Sequence, residues 1–245
     1  MNIRDETVLR ELNLYPLWVR RGVPAEADVA SLPAAHAETS QPALPVAEQP
    51  MLRQQTEPPP ASTLNWTDLK RVVRDCSACK LRSGCTQTVF GVGDEKAEWL
   101  FVGEGPGADE DAQGEPFVGQ AGKLLDNMLA ALRLKRGDKV YIANIVKCRP
   151  PNNRTPEPDE IATCMPYLQQ QIELIKPKLI VALGKTAATS LLGRDATLGS
   201  LRGTVHDYHG TPLIVTYHPA YLLRSPAEKA KAWQDLCFAR QRMLP

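Results

Sequence analysis

Two groups of residues in this 245-residue chain have types and spacings that could do chemistry. Cys76 and Cys79 form a C-x-x-C pair, the bite with which two thiolates hold one metal centre. Cys148 and Cys164, 16 residues apart, offer a second pair drawn from separate elements. Zinc ribbons and knuckles close with a second tight pair, whereas an iron-sulfur cube accepts ligands from separate elements, so the spacing favours a cluster over zinc. Cys85, in the loop after Cys79, is a rival ligand. Cys237 falls in a helical pattern beside Trp233 and reads as a buried structural thiol.

The second group is Glu104, Glu110, Phe117, Asn144 and His218. Glu104 to Phe117 lie in the glycine- and carboxylate-rich stretch "LFVGEGPGADEDAQGEPFVGQAGKLLDNML". "GEGPG" does not meet the dinucleotide fingerprint G-x-G-x-x-G, because Ala108 stands where its last glycine would be. "LGKTAAT" lacks the opening glycine of a phosphate loop, since position 179 is Leu179. Singly, each residue of the group has an ordinary structural explanation. Together they suit a pocket for an everted base, in which an aromatic face stacks on the base, an amide reads its edge and a polar group receives its developing charge.

These residues must be positioned by elements that the pattern of apolar residues makes legible. Apolar runs ending in glycine or polar residues predict strands at 98–103, 139–146, 178–184 and 211–219. Helical periodicity fills 63–76, 119–134, 158–175, 185–192 and 225–244, with Pro158 in a first turn and Ser225 capping the last helix ahead of Pro226. Near-continuous apolar strands separated by helices imply a mainly parallel sheet covered on both faces. In such folds the site lies beyond the carboxyl ends of the strands. "GEGPG", Asn144 and His218 all fall at such ends.

Between Val23 and Pro60 there are eight prolines and no glycine, a composition that buries too little apolar surface to order itself. Segment 23–60 therefore reads as a disordered linker, and 1–22 as a short amphipathic segment that could dock on a replication or repair protein. Residues 61–245 form the folded domain. The net charge of +1 hides a slight basic excess after residue 62, a mild lean toward nucleic acid. With no apolar run long enough to span a bilayer and a charged N-terminus, a soluble, cytoplasmic monomer without membrane contact is expected. Six cysteines in that compartment argue for metal or redox use rather than disulfides.

"CSACKLRSGC", "VFGVGD", "FVGEGPGADEDAQGEPFVGQAGKLLDNML", "NIVKCRPPNNRTPEPDEIATCMPYL" and "TYHPAYLLRSPAEKAKAWQDL" resemble, in order and spacing, the family 4 uracil-DNA glycosylases. The resemblance covers Asn65 to Leu244. It implies an α/β fold, a three-layer αβα sandwich with a mainly parallel central sheet, and a 4Fe-4S cluster on Cys76, Cys79, Cys148 and Cys164, omitting Cys85 and Cys237. It implies hydrolytic excision of uracil from single- or double-stranded DNA in base excision repair, in the nucleoid of a bacterial cell. Gly103, Glu104 and Gly105 would lie near the uracil carbonyl and attacking water, and Glu110 would position water or guard the uracil edge. Phe117 would stack on uracil, Asn144 would pair with its N3 and O4 edge, and His218 would donate to O2. The family often carries alanine where this chain has Gly105, which predicts a slightly looser loop. Leu222 and Leu223 would form a wedge filling the space left by the base, with Arg224 on phosphate. The cluster would brace the loops carrying Arg149 and Arg154 toward phosphate. A related branch traps its product through a histidine after the third cysteine; here "RPPNNRTPEP" has none, so ordinary turnover is expected. The competing reading from another class is a non-catalytic iron-sulfur DNA-binding module.

Overall fold

The computed structural model describes residues 64–243. Segment 1–22 and most of the domain's expected N-terminal boundary, with the linker 23–60, lie outside the described residues. A six-stranded sheet has the order β1-β3-β2-β4-β6-β5. Its strands are β1 (Val92–Gly93), β2 (Trp99–Gly103), β3 (Val140–Asn144), β4 (Leu179–Leu183), β5 (His206–Tyr208) and β6 (Thr211–Thr216). The four inner strands run parallel, β3 beside β2, β2 beside β4 and β4 beside β6. Every residue of β2, β3 and β4 is buried, as strands covered on both faces require.

Alternation along β2 divides the core. Leu100 and Val102 point to one face, where they meet Leu69 and Val73 of α1 (Trp66–Arg74), Leu168 and Ile172 of α4 (Pro158–Ile175) and Ala188 of α5 (Lys185–Leu192). Trp99 and Phe101 point to the other, against Leu125 and Leu129 of α3 (Gln120–Ala131) and Leu236 and Ala239 of α8 (Lys229–Arg242). The result is the three-layer αβα arrangement that the alternation of apolar runs implied.

Three short helices and two strands were not legible in the sequence. Helix α2 (Ala108–Gln113) reads "ADEDAQ" and has no apolar stripe, and α6 (Leu198–Leu201) and α7 (Pro219–Arg224) are shorter than two turns. The edge strands β1 and β5 pair antiparallel with β3 and β6. With two and three residues, neither carries a run that periodicity could detect. Ser225 also departs from expectation. It makes no side-chain capping bond, and a 3-10 turn (Pro226–Glu228) intervenes before α8 begins at Lys229.

The start of α4 is anchored through Glu160. Its carboxylate accepts from both terminal nitrogens of Arg154 at 2.8 and 2.7 Å and from the Glu157 backbone N–H at 2.8 Å, with its side chain fully enclosed. The Arg154 bond foremost, helped by the Glu157 N–H and opposed by desolvation, holds its carboxyl down at about 2. A carboxyl lowered in the folded chain contributes stability above its ordinary value, and that contribution is lost as pH falls from about 4.5 toward 2. The melting temperature of Glu160→Gln is therefore expected to lie below wild type at neutral pH and to change less steeply between pH 5 and 3; parallel curves for the two proteins would contradict this.

Candidate active site

The carboxyl ends of β2, β3 and β6 open into a cleft of about 450 Å³, within the size range of ligand pockets. Glu104, Gly105, Glu110, Phe117, Asn144 and His218 line it. Among the described residues, no helix is long and apolar enough to cross a membrane.

Asn144 closes β3 and pairs in register with Gly103, the last residue of β2. Its side chain is 1% exposed and its Oδ1 has no hydrogen-bond partner among the described residues. A buried amide oxygen without a donor is costly, so this atom is set for a ligand N–H. Beneath it, the buried Lys147 ammonium donates to the Asn144 carbonyl at 3.0 Å and to Gln171 Oε1 at 2.6 Å. Burial lowers that ammonium to about 8, with the Cys164 sulfur opposing.

Gly103 is required by close approach. A Cβ there would stand 2.4 Å from Asn144 Oδ1 and 2.6 Å from Phe117 Cζ. Gly105, expected to loosen its loop, is also closely packed, because a Cβ would lie 2.8 Å from Val146 Cγ2. The loop that lacks the methyl is thus held against Val146, and its Glu104 carbonyl accepts from the Val146 N–H at 3.2 Å.

Phe117 is 5% exposed and sits at φ 57°, a left-handed conformation that non-glycine residues adopt at some expense. Arg136 holds it there by donating to the Pro116 and Phe117 carbonyls at 2.7 and 2.8 Å, while its own guanidinium is fixed by Asp126 at 2.9 Å. Gly122 permits the turn, since any Cβ would fall 1.7 Å from the Phe117 carbonyl oxygen. The Phe117 and His218 rings are 5.5 Å apart at 32°.

His218 caps α7, its Nδ1 accepting from the Ala220 N–H at 3.2 Å. An Nδ1 that accepts leaves the proton on Nε2, so the ring is a neutral donor. Enclosure by protein, reinforced by nearby Arg224 and opposed by Glu110, lowers its pKa to about 4.

Glu110 differs from expectation. One carboxylate oxygen accepts from the Val118 and Gly119 N–H groups at 2.9 and 3.0 Å, and the other from the Gly107 N–H at 3.0 Å. It braces the two glycine-rich turns against each other, which leaves little of it for positioning water. Glu104 lines the same cleft, and its side chain makes no hydrogen bond to a described residue. Leu222 is corrected as well. It is 1% exposed and belongs to the core, so of the two leucines only Leu223, at 43%, projects into solvent. Arg224 follows on the rim of the cleft. Arg154 lines the cleft too, but its guanidinium is committed to Glu160 rather than offered freely to phosphate, and Arg149 bonds Asn153 Oδ1 at 2.7 Å.

On the far side of Lys147, Cys76, Cys79, Cys148 and Cys164 line one cavity with Tyr167. Sγ of Cys164 accepts from the Lys147 backbone N–H at 3.3 Å and Sγ of Cys76 from the Tyr167 hydroxyl at 3.3 Å. Burial raises the Cys79, Cys148 and Cys164 thiols, the last to about 11. Among the described residues, no three His, Cys, Asp or Glu side chains form a site for a single metal ion. Cys85 lies close enough to Cys148 to help raise its thiol, while its own Sγ donates to the Arg82 carbonyl at 3.7 Å. Cys237 stands apart in α8.

The family model described as the Uracil DNA glycosylase superfamily matches residues 90–237. A type-4 uracil-DNA glycosylase of Archaeoglobus fulgidus is 47% identical over 167 residues, covering 65% of this chain and 83% of that protein. The chain belongs to the type-4 uracil-DNA glycosylases. Two further type-4 uracil-DNA glycosylases agree: that of Pyrobaculum aerophilum is 45% identical, covering 69% of this chain and 89% of its own, and that of Thermotoga maritima 47%, covering 65% and 83%.

Several residues that shape the site were missed in the sequence. Lys147 had a visible signal, a lysine ending the apolar run "YIANIV" just before Cys148. Arg136 and Glu160 had none, because their partners are carbonyls and guanidinium groups brought near only by folding.

Proposed function

We infer that this protein is a uracil-DNA glycosylase, which hydrolyses the N-glycosidic bond between uracil and deoxyribose in DNA and leaves an abasic site. The observation that carries the reading is the buried, partnerless Oδ1 of Asn144 facing the cleft beside Phe117. Uracil presents an N3–H to such an acceptor and an O4 to the amide nitrogen; cytosine presents no N3–H and an amino group instead, so the pair discriminates between them.

An everted uracil would lie against the Phe117 ring with its N3 and O4 edge on Asn144. Cleavage of C1′–N1 leaves the electron pair on the base, mainly on its carbonyl oxygens, while the sugar becomes cation-like. The Nε2–H of neutral His218 donates to O2 as that charge grows, an interaction stronger in the transition state than in the ground state. Water adds its oxygen to C1′, keeping one proton as the new hydroxyl and giving the other to solvent or a carboxylate, and the released uracil anion takes a proton from solvent. Glu104, whose side chain makes no hydrogen bond to a described residue, is suited to orient that water, and Gly103 and Gly105 let backbone approach it. Glu110 keeps both turns in place. Leu223 fills the space left by the base and Arg224 takes phosphate.

Cys76, Cys79, Cys148 and Cys164 would hold the 4Fe-4S cluster, a reading supported by one cavity ringed by sulfurs from the loop after α1, the loop after β3 and α4. Four thiols around one cavity suit a group that takes one thiolate per iron. When bound, the cluster supplies a covalent cross-link between those segments. Lys147 then carries that rigidity to Asn144, since its N–H faces Cys164 and its ammonium the Asn144 carbonyl.

The test is incubation with an oligonucleotide containing one uracil, followed by alkali. Free uracil and a strand break at that position are expected, with none at cytosine or thymine; intact strands that still bind the protein would favour the non-catalytic module instead.

A further inference from the structure

Tyr221 is a large aromatic side chain left 39% exposed on the rim of the cleft. It is not loosely held. Its ring stacks on that of Tyr217 with centroids 5.4 Å apart and planes 10° from parallel, and the Arg202 guanidinium lies 4.4 Å from the Tyr217 centroid. Arg202 is in turn fixed by both carboxylate oxygens of Asp235 at 2.7 and 3.0 Å and by the Lys231 carbonyl at 2.8 Å. Asp235, 4% exposed, also accepts from the Thr216 hydroxyl at 2.8 Å, at the end of β6. The stack is thus rooted in the core and rises to solvent, from Asp235 through Arg202, 13% exposed, to Tyr221.

A flat ring oriented in advance loses little freedom on binding another flat ring. Arg224, three residues on in α7, lines the same cleft, so an aromatic face and a guanidinium are presented side by side. One nucleotide has the matching parts, a base with a π-face and a phosphate beside it. When a deoxyuridine turns into the cleft, the base next to it in a single strand loses a stacking neighbour and exposes that face.

We propose that Tyr221 is a stacking platform for the nucleobase adjacent to the everted deoxyuridine in single-stranded DNA. The proposal rests on the reading of the cleft as a deoxyuridine site. Because every base has a π-face, the platform is indifferent to which base occupies it. In a duplex the neighbouring base keeps its partner and its other stack, so the platform acts chiefly on single strands.

The experiment measures KM for uracil release by wild type, Tyr221→Ala and Tyr221→Phe on single-stranded oligonucleotides. One strand is intact, and in two others a tetrahydrofuran abasic residue replaces the 5′ or the 3′ neighbour of uracil. On the intact strand Tyr221→Ala is expected to raise KM about 5- to 150-fold, the range of one base–aromatic stack, while Tyr221→Phe stays near wild type. With one of the two neighbours removed, wild type is expected to weaken by a similar factor and to match Tyr221→Ala. Melting curves establish that the alanine variant is folded. Equal KM values for wild type and Tyr221→Ala on the intact strand, or an alanine defect that persists whichever neighbour is absent, would overturn the stacking while leaving the glycosylase intact. Failure of wild type to release uracil from any strand would overturn the reading of the cleft and the proposal with it.

Discussion

His218→Ala is expected to release uracil about 100- to 1,000-fold more slowly than wild type while binding uracil-containing DNA with similar affinity, the signature of a lost transition-state donor. The ring's hydrogen bond from the Ala220 N–H to Nδ1 fixes the proton on Nε2, and its enclosure lowers the pKa to about 4. The proposed donation therefore does not depend on a protonated imidazolium. Single-turnover rates of the wild type should run level through pH 6.5 and decline only as pH nears 4, where Nδ1 gains a proton and can no longer accept from Ala220. The same lowered pKa has a stability consequence with a defined sign. Between about 4 and 6.5 the unfolded chain binds a proton that the folded chain refuses, so this residue's contribution falls as pH drops through that window. An inflection near 6.5 that vanishes in His218→Ala would overturn the neutral-donor assignment.

Gly103→Ala is the second large effect. The new Cβ would meet Asn144 Oδ1 at 2.4 Å and two carbons of the Phe117 ring at 2.6 and 2.7 Å, all inside the closest approach real side chains tolerate. One methyl thus pushes at once on the side chain proposed to read the base edge and the one proposed to stack on its face. Displacement of about 1 Å at a reacting centre can reduce turnover on the order of 100-fold, and a loss of that size in kcat/KM is expected. The fold should survive, because the collision is with two cleft side chains rather than with the sheet. Gly105→Ala, whose Cβ would be crowded by Val146 Cγ2 at 2.8 Å and would meet Pro150 Cδ at an ordinary 3.6 Å, is the matched control with a smaller loss. Wild-type turnover by Gly103→Ala would show that the two side chains can yield without consequence.

The inner strands and long helices were legible because their apolar residues recur at the period of the element and fill both faces of a buried sheet. Strand β4, expected at 178–184, forms at Leu179–Leu183, and α4 and α5 keep their expected bounds. That the site gathers at strand ends also followed from the pattern, since Gly103, Asn144 and His218 were each placed there by an apolar run. What failed were inferences about orientation. "YLLR" cannot reveal that Leu222 turns inward and Leu223 outward, because that depends on the phase of a six-residue helix set by Pro219. Nor can "ADED" reveal that the Glu110 carboxylate folds back on three amides, since two of them come from the turn eight and nine residues later. The cysteines were legible as a set, yet the nearness of Cys85 to Cys148 is a product of the 3-10 turn (Lys80–Gly84), which spacing does not disclose.

The brevity of the sheet's two borders bears on how the molecule behaves in a crowded solution. A strand of two residues on one side and three on the other, both running against their neighbours, leaves scarcely any open ladder of amides and carbonyls for a second copy to extend. Gly93 ends the shorter of them at φ 139°, pressed so close to β3 that even a single added carbon would strike the Val140 carbonyl at 2.2 Å. Self-templating at the margins is thereby closed off.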